Sequence, residues 1–144
     1  MYREILFPTD GGPASQAALD HALDHAERYD ARLHTLYVVD TTAYASLDAG
    51  AETVISGLQQ EGETALQAVA ERAEDANVSV VSEIISGSPY KQLLEYAENA
   101  GIDLIVMGTH GRTGLDRYLL GSVTERVVRT ADMPVLTVRV SDDE

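Results

Sequence analysis

The chain has no cysteine among its 144 residues and only one lysine, Lys91, beside nine arginines. The missing cysteine excludes disulfides, thiolate metal sites and a cysteine nucleophile. No run of eighteen apolar residues occurs, so no membrane-spanning helix is expected. The initial MYREILFPTD enters a strand-like run directly, without the basic and apolar segments of a signal peptide. These absences predict a cytoplasmic protein with no membrane partner.

Basic residues are also few overall, and the formal net charge at pH 7 is −14. Nucleic acids and anionic membranes would meet a repulsive field, which disfavours both as partners. The acidic residues are spread along the chain rather than gathered in a tail. Dispersed acidic residues together with scarce lysine favour a halophilic origin. At about 1 M salt the Debye length is about 3 Å, so the repulsion among these acidic residues is screened. An ordinary acidic protein is the alternative.

Apolar runs alternate with helical periods along the whole chain, without a linker or an internal repeat. This pattern predicts a single domain, residues 1–144, with four helices between five strands, at 3–8, 32–39, 78–85, 103–107 and 134–140. We expect a doubly wound parallel sheet of order 3-2-1-4-5 in a three-layer α/β/α fold. The expected buried stripes include Tyr29 in the first helix and Val54 in the second.

Three glycines, Gly108, Gly111 and Gly121, connect the fourth strand to the last helix, and Ser122 follows at once. Glycine lets an anion approach the unpaired N–H groups at a helix amino terminus, where the macrodipole is positive. The spacing matches neither G-x-x-x-x-G-K-[ST] nor G-x-G-x-x-G. It nevertheless predicts a phosphate site built from backbone donors.

Side chains near this loop fit two interpretations. Arg112 or Arg117 would assist a bound phosphate, together with a divalent cation. Alternatively the segment is only a turn, in which glycine supplies positive φ and Ser122 forms a capping box with Glu125. Thr124 would donate to a phosphate or satisfy the nearby backbone.

The predicted strand order reverses between the first and fourth strands, and doubly wound sheets bind ligands at that point. The first strand ends at Pro8, Thr9 and Asp10, and the fourth ends at Met107 and Gly108. A carboxylate at Asp10 suits ribose hydroxyls, while the glycine loop supplies phosphate donors. The sequence therefore predicts a nucleotide site, although Asp10 followed by glycine is also a common turn pair.

The residues resemble the universal stress protein family, specifically its ATP-binding branch, over essentially the whole chain. The resemblance rests on ILFPTDGG, LHTLYVVD, SGSP and the block IVMGTHGRTGLDRYLLGSVTERVVRTADMPVLTVR. It implies that ATP or another adenine nucleotide binds, with Mg²⁺ or Mn²⁺. The resemblance, the glycine loop and the reversal of strand order together indicate a set of candidate nucleotide-binding residues. These are Pro8, Thr9, Asp10, Val38, Val39, Met107, Gly108, Gly111, Arg112, Gly121, Ser122, Val123 and Thr124.

The resemblance further implies a stress-response protein that acts as a nucleotide-dependent switch or chaperone-like regulator. A non-nucleotide interaction dimer of the same fold is one alternative. A slow ATPase is another, although no residue stands out as a base to orient water. His21 and His25 have metal-ligand spacing but lack the glutamate of H-E-x-x-H, so structural roles are favoured. His34 lies within a strand and has no predicted role.

The last strand, 134–140, is expected at the sheet edge with an apolar row of Val135, Leu136, Val138 and Val140. Exposed edges of this kind invite pairing with another chain. Members of the family it resembles pair through this strand, which implies a homodimer. The acidic residues 141–144 would favour a monomer instead.

Overall fold

The computed structural model describes residues 1–41, 50–109 and 121–139. Within these residues the elements are β1 (Glu4–Pro8), α1 (Pro13–Tyr29), β2 (Arg32–Asp40), α2 (Gly50–Asp75), β3 (Val80–Gly87), α3 (Pro89–Asn99), β4 (Leu104–Gly108), α4 (Ser122–Thr130) and β5 (Val135–Val138). The parallel sheet has the order β3-β2-β1-β4-β5. The described residues thus confirm the predicted sheet and its four helices.

The sheet separates two apolar layers, because successive strand residues face opposite sides. Ile5 and Phe7 of β1 pack in one cluster with α1 and the second half of α2. Leu6, between them, packs on the other side with residues of α3 and α4. β1 lies at the centre of the sheet and is buried on both faces, as a parallel strand between two helical layers must be.

Two residues expected in the buried stripes are exposed instead. Tyr29 ends α1 with 41% of its surface exposed, and its ring meets Tyr2 edge-on at a centroid distance of 5.1 Å. Val54 is also 41% exposed. The 26 residues of α2 extend about 39 Å, whereas the nine residues of β2 extend about 30 Å. The sheet is therefore too short to cover both ends of this helix.

None of the described helices combines the length and apolar character needed to cross a membrane.

Candidate functional site

The loop between β1 and α1 is held by its own side chains. The Thr9 hydroxyl accepts a hydrogen bond from the Gly11 N–H at 3.0 Å, where Gly11 adopts a φ of 80°. Asp10 Oδ1 accepts from the Gly12 N–H at 2.8 Å and from the Ser15 hydroxyl at 3.0 Å. These are the local turn bonds that short polar side chains make. Asp10 therefore forms the turn, and its carboxylate has a fixed position at the carboxyl end of β1.

The end of β4 lies beside this loop. Ile5 pairs with Leu104, and continuing this parallel register brings Pro8 next to Met107. A Cβ atom on Gly108 would lie 2.7 Å from the Ala14 Cβ and 2.8 Å from its carbonyl carbon. Only glycine fits there, because the first turn of α1 packs directly against the strand end. Close helix packing, rather than a left-handed turn, thus accounts for this glycine.

The amino terminus of α4 is tied to the same strand end. The Gly121 N–H donates to the Thr109 carbonyl at 2.5 Å, and the buried Thr124 hydroxyl donates to the Gly108 carbonyl at 2.8 Å. Of the two alternatives for Thr124, its hydroxyl satisfies the backbone. The first N–H groups of α4 consequently face the carboxyl edge of the sheet, near the ends of β4 and β1.

The capping box of the turn alternative does not form in this helix. Gly121 is the N-cap, with φ −64° and ψ 158°, and no side chain among the described residues hydrogen-bonds at that cap. Ser122 is exposed and is already the first helical residue, one position too late to cap the helix through Glu125. Positive φ does not account for Gly121, which adopts a backbone conformation open to other residues. Gly111 lies outside the described residues, so the turn alternative is not tested there. Within the described part of the chain, α4 begins with a small residue at its N-cap and no side-chain cap.

The other candidate residues divide into described and undescribed positions. Val38 is half-buried on the side of α3, whereas Val39 is buried with Tyr37 and Leu66 on the side of α2. Met107 is buried in the layer of α3 and α4, and Val123 packs at its margin. The remaining loop candidates, Gly111 and Arg112, lie outside the described residues, as do His110 and Arg117.

A partly buried polar network, which the sequence did not reveal, lies toward the amino edge of the sheet. His34 Nε2 is 2.6 Å from Glu4 Oε1, and His34 Nδ1 is 2.7 Å from the Tyr96 hydroxyl. Burial raises the pKa of Tyr96, and the charges of Glu83 and Glu4 raise it further. The only available signal was a histidine inside an apolar strand, which gives no indication of partners 30 and 62 residues away.

Of the two histidines of α1, His25 hydrogen-bonds the helix backbone: its Nδ1 donates to the His21 carbonyl at 2.8 Å. Among the described residues, no group of three histidine, aspartate or glutamate side chains is placed to hold a metal ion.

Comparison with known proteins identifies relatives along nearly the whole chain. The model of the universal stress protein family matches residues 1–139. A universal stress protein of Methanocaldococcus jannaschii is 44% identical over 141 residues, which cover 96% of this chain and 83% of the relative. A universal stress protein of Methanothermobacter thermautotrophicus is 35% identical over 96% of this chain and 97% of its own length.

Solved structures share the fold. A second Methanocaldococcus jannaschii protein superposes with a TM-score of 0.88 at 32% identity, covering 99% of both chains. UspA of Lactobacillus plantarum superposes with a TM-score of 0.83 at 35% identity, covering 96% of this chain and 98% of its own. A universal stress protein in complex with cAMP gives a TM-score of 0.75 at 26% identity, covering 97% of this chain and 99% of that chain.

Proposed function

The chain belongs to the universal stress protein family, and we propose that it binds an adenine nucleotide, ATP in the first instance, at the carboxyl edge between β1 and β4. The main support is the amino terminus of α4, which no described side chain caps and which hydrogen bonds tie to the end of β4. Backbone N–H groups at such a terminus bind phosphate. The similar protein that was solved with cAMP supports an adenine nucleotide as the ligand class.

In this proposal the phosphates lie against the backbone of Ser122, Val123 and Thr124, with Gly121 leaving room for their approach. Asp10 binds the ribose hydroxyls from the opposite side, flanked by Pro8 and Thr9. The adenine lies near the backbone of Val38 and Val39, beside Met107 and Gly108. Gly111, Arg112 and a divalent cation, Mg²⁺ or Mn²⁺, complete the phosphate contacts.

We further propose that binding serves as a switch or chaperone-like regulator rather than for catalysis. The hydroxyls of Thr9 and Thr124 already hydrogen-bond the backbone of the fold, so neither is set apart to handle an attacking water. In this proposal residues 1–144 form one domain that acts in the cytoplasm. Nucleotide occupancy would alter the surface at the carboxyl edge of the sheet, which partner proteins then recognise.

Substitution of Gly121 tests the phosphate site. Valine adopts the φ and ψ of this position without strain, so Gly121→Val should fold while its side chain fills the space of the phosphate. Isothermal calorimetry should show ATP binding lost in Gly121→Val and largely kept in Gly121→Ala, the control for altering the cap. Equal ATP affinity for the valine variant and the unmodified protein would exclude this phosphate site.

Identification of the bound ligand distinguishes a nucleotide-dependent switch from an interaction protein of the same fold that binds no nucleotide. The purified protein is denatured by heat, and the released small molecules are identified by mass spectrometry. We expect a near-equimolar adenine nucleotide from the unmodified protein and much less from Gly121→Val. A protein that neither releases a nucleotide nor binds added ATP would instead be an interaction module of the same fold.

A further inference from the structure

Ser15 belongs to the first turn of α1, yet its side chain hydrogen-bonds the loop before the helix. Its hydroxyl donates to Asp10 Oδ1 at 3.0 Å, and its Oγ atom accepts from the Asp10 N–H at 3.3 Å. Ser15 is only 7% exposed. Burying a hydroxyl costs free energy unless the group is hydrogen-bonded, and Asp10 supplies both a donor and an acceptor for it.

The helix itself does not need this hydroxyl. Gly12 is the N-cap of α1, and Pro13 follows at the first helical position. Ser15 is the third helical residue, from which a capping side chain would bond the N–H of the N-cap residue. The Gly12 N–H instead donates to Asp10 Oδ1, the same atom that accepts from Ser15. Alanine is the best helix former, so α1 would form without a serine at this position.

The backbone next to Ser15 is fixed by the end of β4. The preceding residue, Ala14, packs so closely against Gly108 that a Cβ atom on this glycine would lie 2.8 Å from the Ala14 carbonyl carbon. The Gly108 carbonyl in turn accepts from the Thr124 hydroxyl of α4 at 2.8 Å. A continuous set of contacts thus joins the amino terminus of α4 to the carboxylate of Asp10. These contacts set the distance between the proposed phosphate and ribose contacts.

We propose that Ser15 is a positioning residue for ribose, and that it makes the site prefer nucleotides that carry ribose hydroxyls. The inference rests on the proposed nucleotide site, with Asp10 as the group that binds the ribose. A carboxylate accepts hydrogen bonds most favourably along its lone-pair directions, so its rotation decides whether a hydroxyl can bind it. Ser15 restricts that rotation before the ligand binds. Ordering a side chain on binding would otherwise reduce affinity by about 2- to 13-fold.

Calorimetry with ATP and with dideoxy-ATP, which lacks both ribose hydroxyls, tests the proposal. The unmodified protein should bind dideoxy-ATP about fivefold or more weakly than ATP, because it loses hydrogen bonds to a charged group. Ser15→Ala should weaken ATP binding by about three- to tenfold and change dideoxy-ATP binding by less than about twofold. Retained binding of the analogue shows that the variant is folded and that its phosphate contacts are intact.

Two comparisons distinguish positioning from a general effect on the loop. Asp10→Ala has no carboxylate to orient, so adding Ser15→Ala to it should cause no further loss of ATP affinity. Gln16→Ala changes the next residue of the same turn, which is exposed, and should leave both affinities unchanged.

Three results would overturn the role of Ser15. These are equal weakening of ATP and dideoxy-ATP binding by Ser15→Ala, no weakening of either, and the same loss of ATP affinity when Asp10 is already alanine. Equal affinity of the unmodified protein for the two nucleotides would exclude a ribose contact. An unmodified protein that binds neither nucleotide would contradict the proposed function itself, and the role of Ser15 with it.

Discussion

Asp10 forms a turn and, in the proposed nucleotide site, also binds the ribose. Its Oδ1 atom accepts from the Gly12 N–H and the Ser15 hydroxyl, so the loop has its shape before any ligand binds. Asparagine keeps an acceptor oxygen for both turn donors but loses the negative charge. This difference separates the structural contribution of the side chain from a contribution to ribose binding.

We therefore predict that Asp10→Asn leaves urea-unfolding stability nearly unchanged but weakens ATP binding by about 1–3 kcal/mol, the range for hydrogen bonds to a charged group. Asp10→Ala should lose the same binding energy and also destabilise the loop. Calorimetry and urea unfolding on both variants make the comparison. If Asp10→Asn bound ATP as tightly as the unmodified protein, Asp10 would be a turn residue only.

Tyr96, also a single residue, leads to a prediction of how the stability of the fold depends on pH. Burial, with Glu83 and Glu4, raises its pKa in the folded state, so the fold favours the neutral hydroxyl that bonds His34. This contribution to stability is complete below the unfolded pKa of about 10 and is lost as pH rises through the folded pKa. Stability of the unmodified protein should fall more steeply above about pH 10 than that of Tyr96→Phe.

Urea unfolding at about pH 8 and about pH 11 measures this difference between the two proteins. At the lower pH, Tyr96→Phe should be less stable by about 1–3 kcal/mol, because it leaves one nitrogen of the buried His34 without its partner. Parallel pH profiles for the two proteins would contradict the assignment to Tyr96, since the other tyrosines are common to both.

Among the elements, β5 is where we propose that two chains pair, through strand 134–140, to form a homodimer. The Pro134 carbonyl accepts from the Ile105 N–H of β4, and the Val138 carbonyl accepts from the Thr109 N–H directly after β4. Since successive strand residues direct their backbone groups to opposite neighbours, Thr137 directs its groups toward the open edge. Proline at Thr137 should therefore remove a donor needed for pairing between chains and keep the ladder to β4.

Light scattering should give twice the chain mass of 15.5 kDa for the unmodified protein and about one chain mass for Thr137→Pro. Circular dichroism of the variant should remain that of the folded chain. A monomeric unmodified protein at micromolar concentration would contradict the dimer, and a dimeric Thr137→Pro variant would place the contact elsewhere.

Local sequence patterns predicted the elements because apolar period and turn residues act over a few positions. The alternation of apolar runs and helical periods indicated five strands, four helices and the order of the strands in the sheet. The site itself depended on longer-range contacts. No local pattern indicates that Gly108 meets Ala14, or that the cap of α4 is Gly121 rather than Ser122.

At the scale of the whole molecule, the net charge of −14 predicts that salt stabilises the fold. Screening at molar KCl removes repulsion among the dispersed acidic groups. Each kcal/mol recovered should raise the melting temperature by about 2–4 °C in a chain of this size. Thermal unfolding in KCl, with sucrose as an uncharged control, tests this. A midpoint that is indifferent to KCl would contradict the proposed adaptation to high salt.

The central position of β1 also affects how the chain can fold during synthesis. β1 is made first, but its partner on one side, β2, ends at Asp40, and its partner on the other side, β4, begins only at Leu104. Ribosomes add about 5–20 residues per second, so the roughly 60 residues between the two strands take about 3–13 s. Throughout that interval the nascent chain has an unpaired edge at Ile5 and Leu6, and a chaperone that binds extended apolar segments would recognise it there.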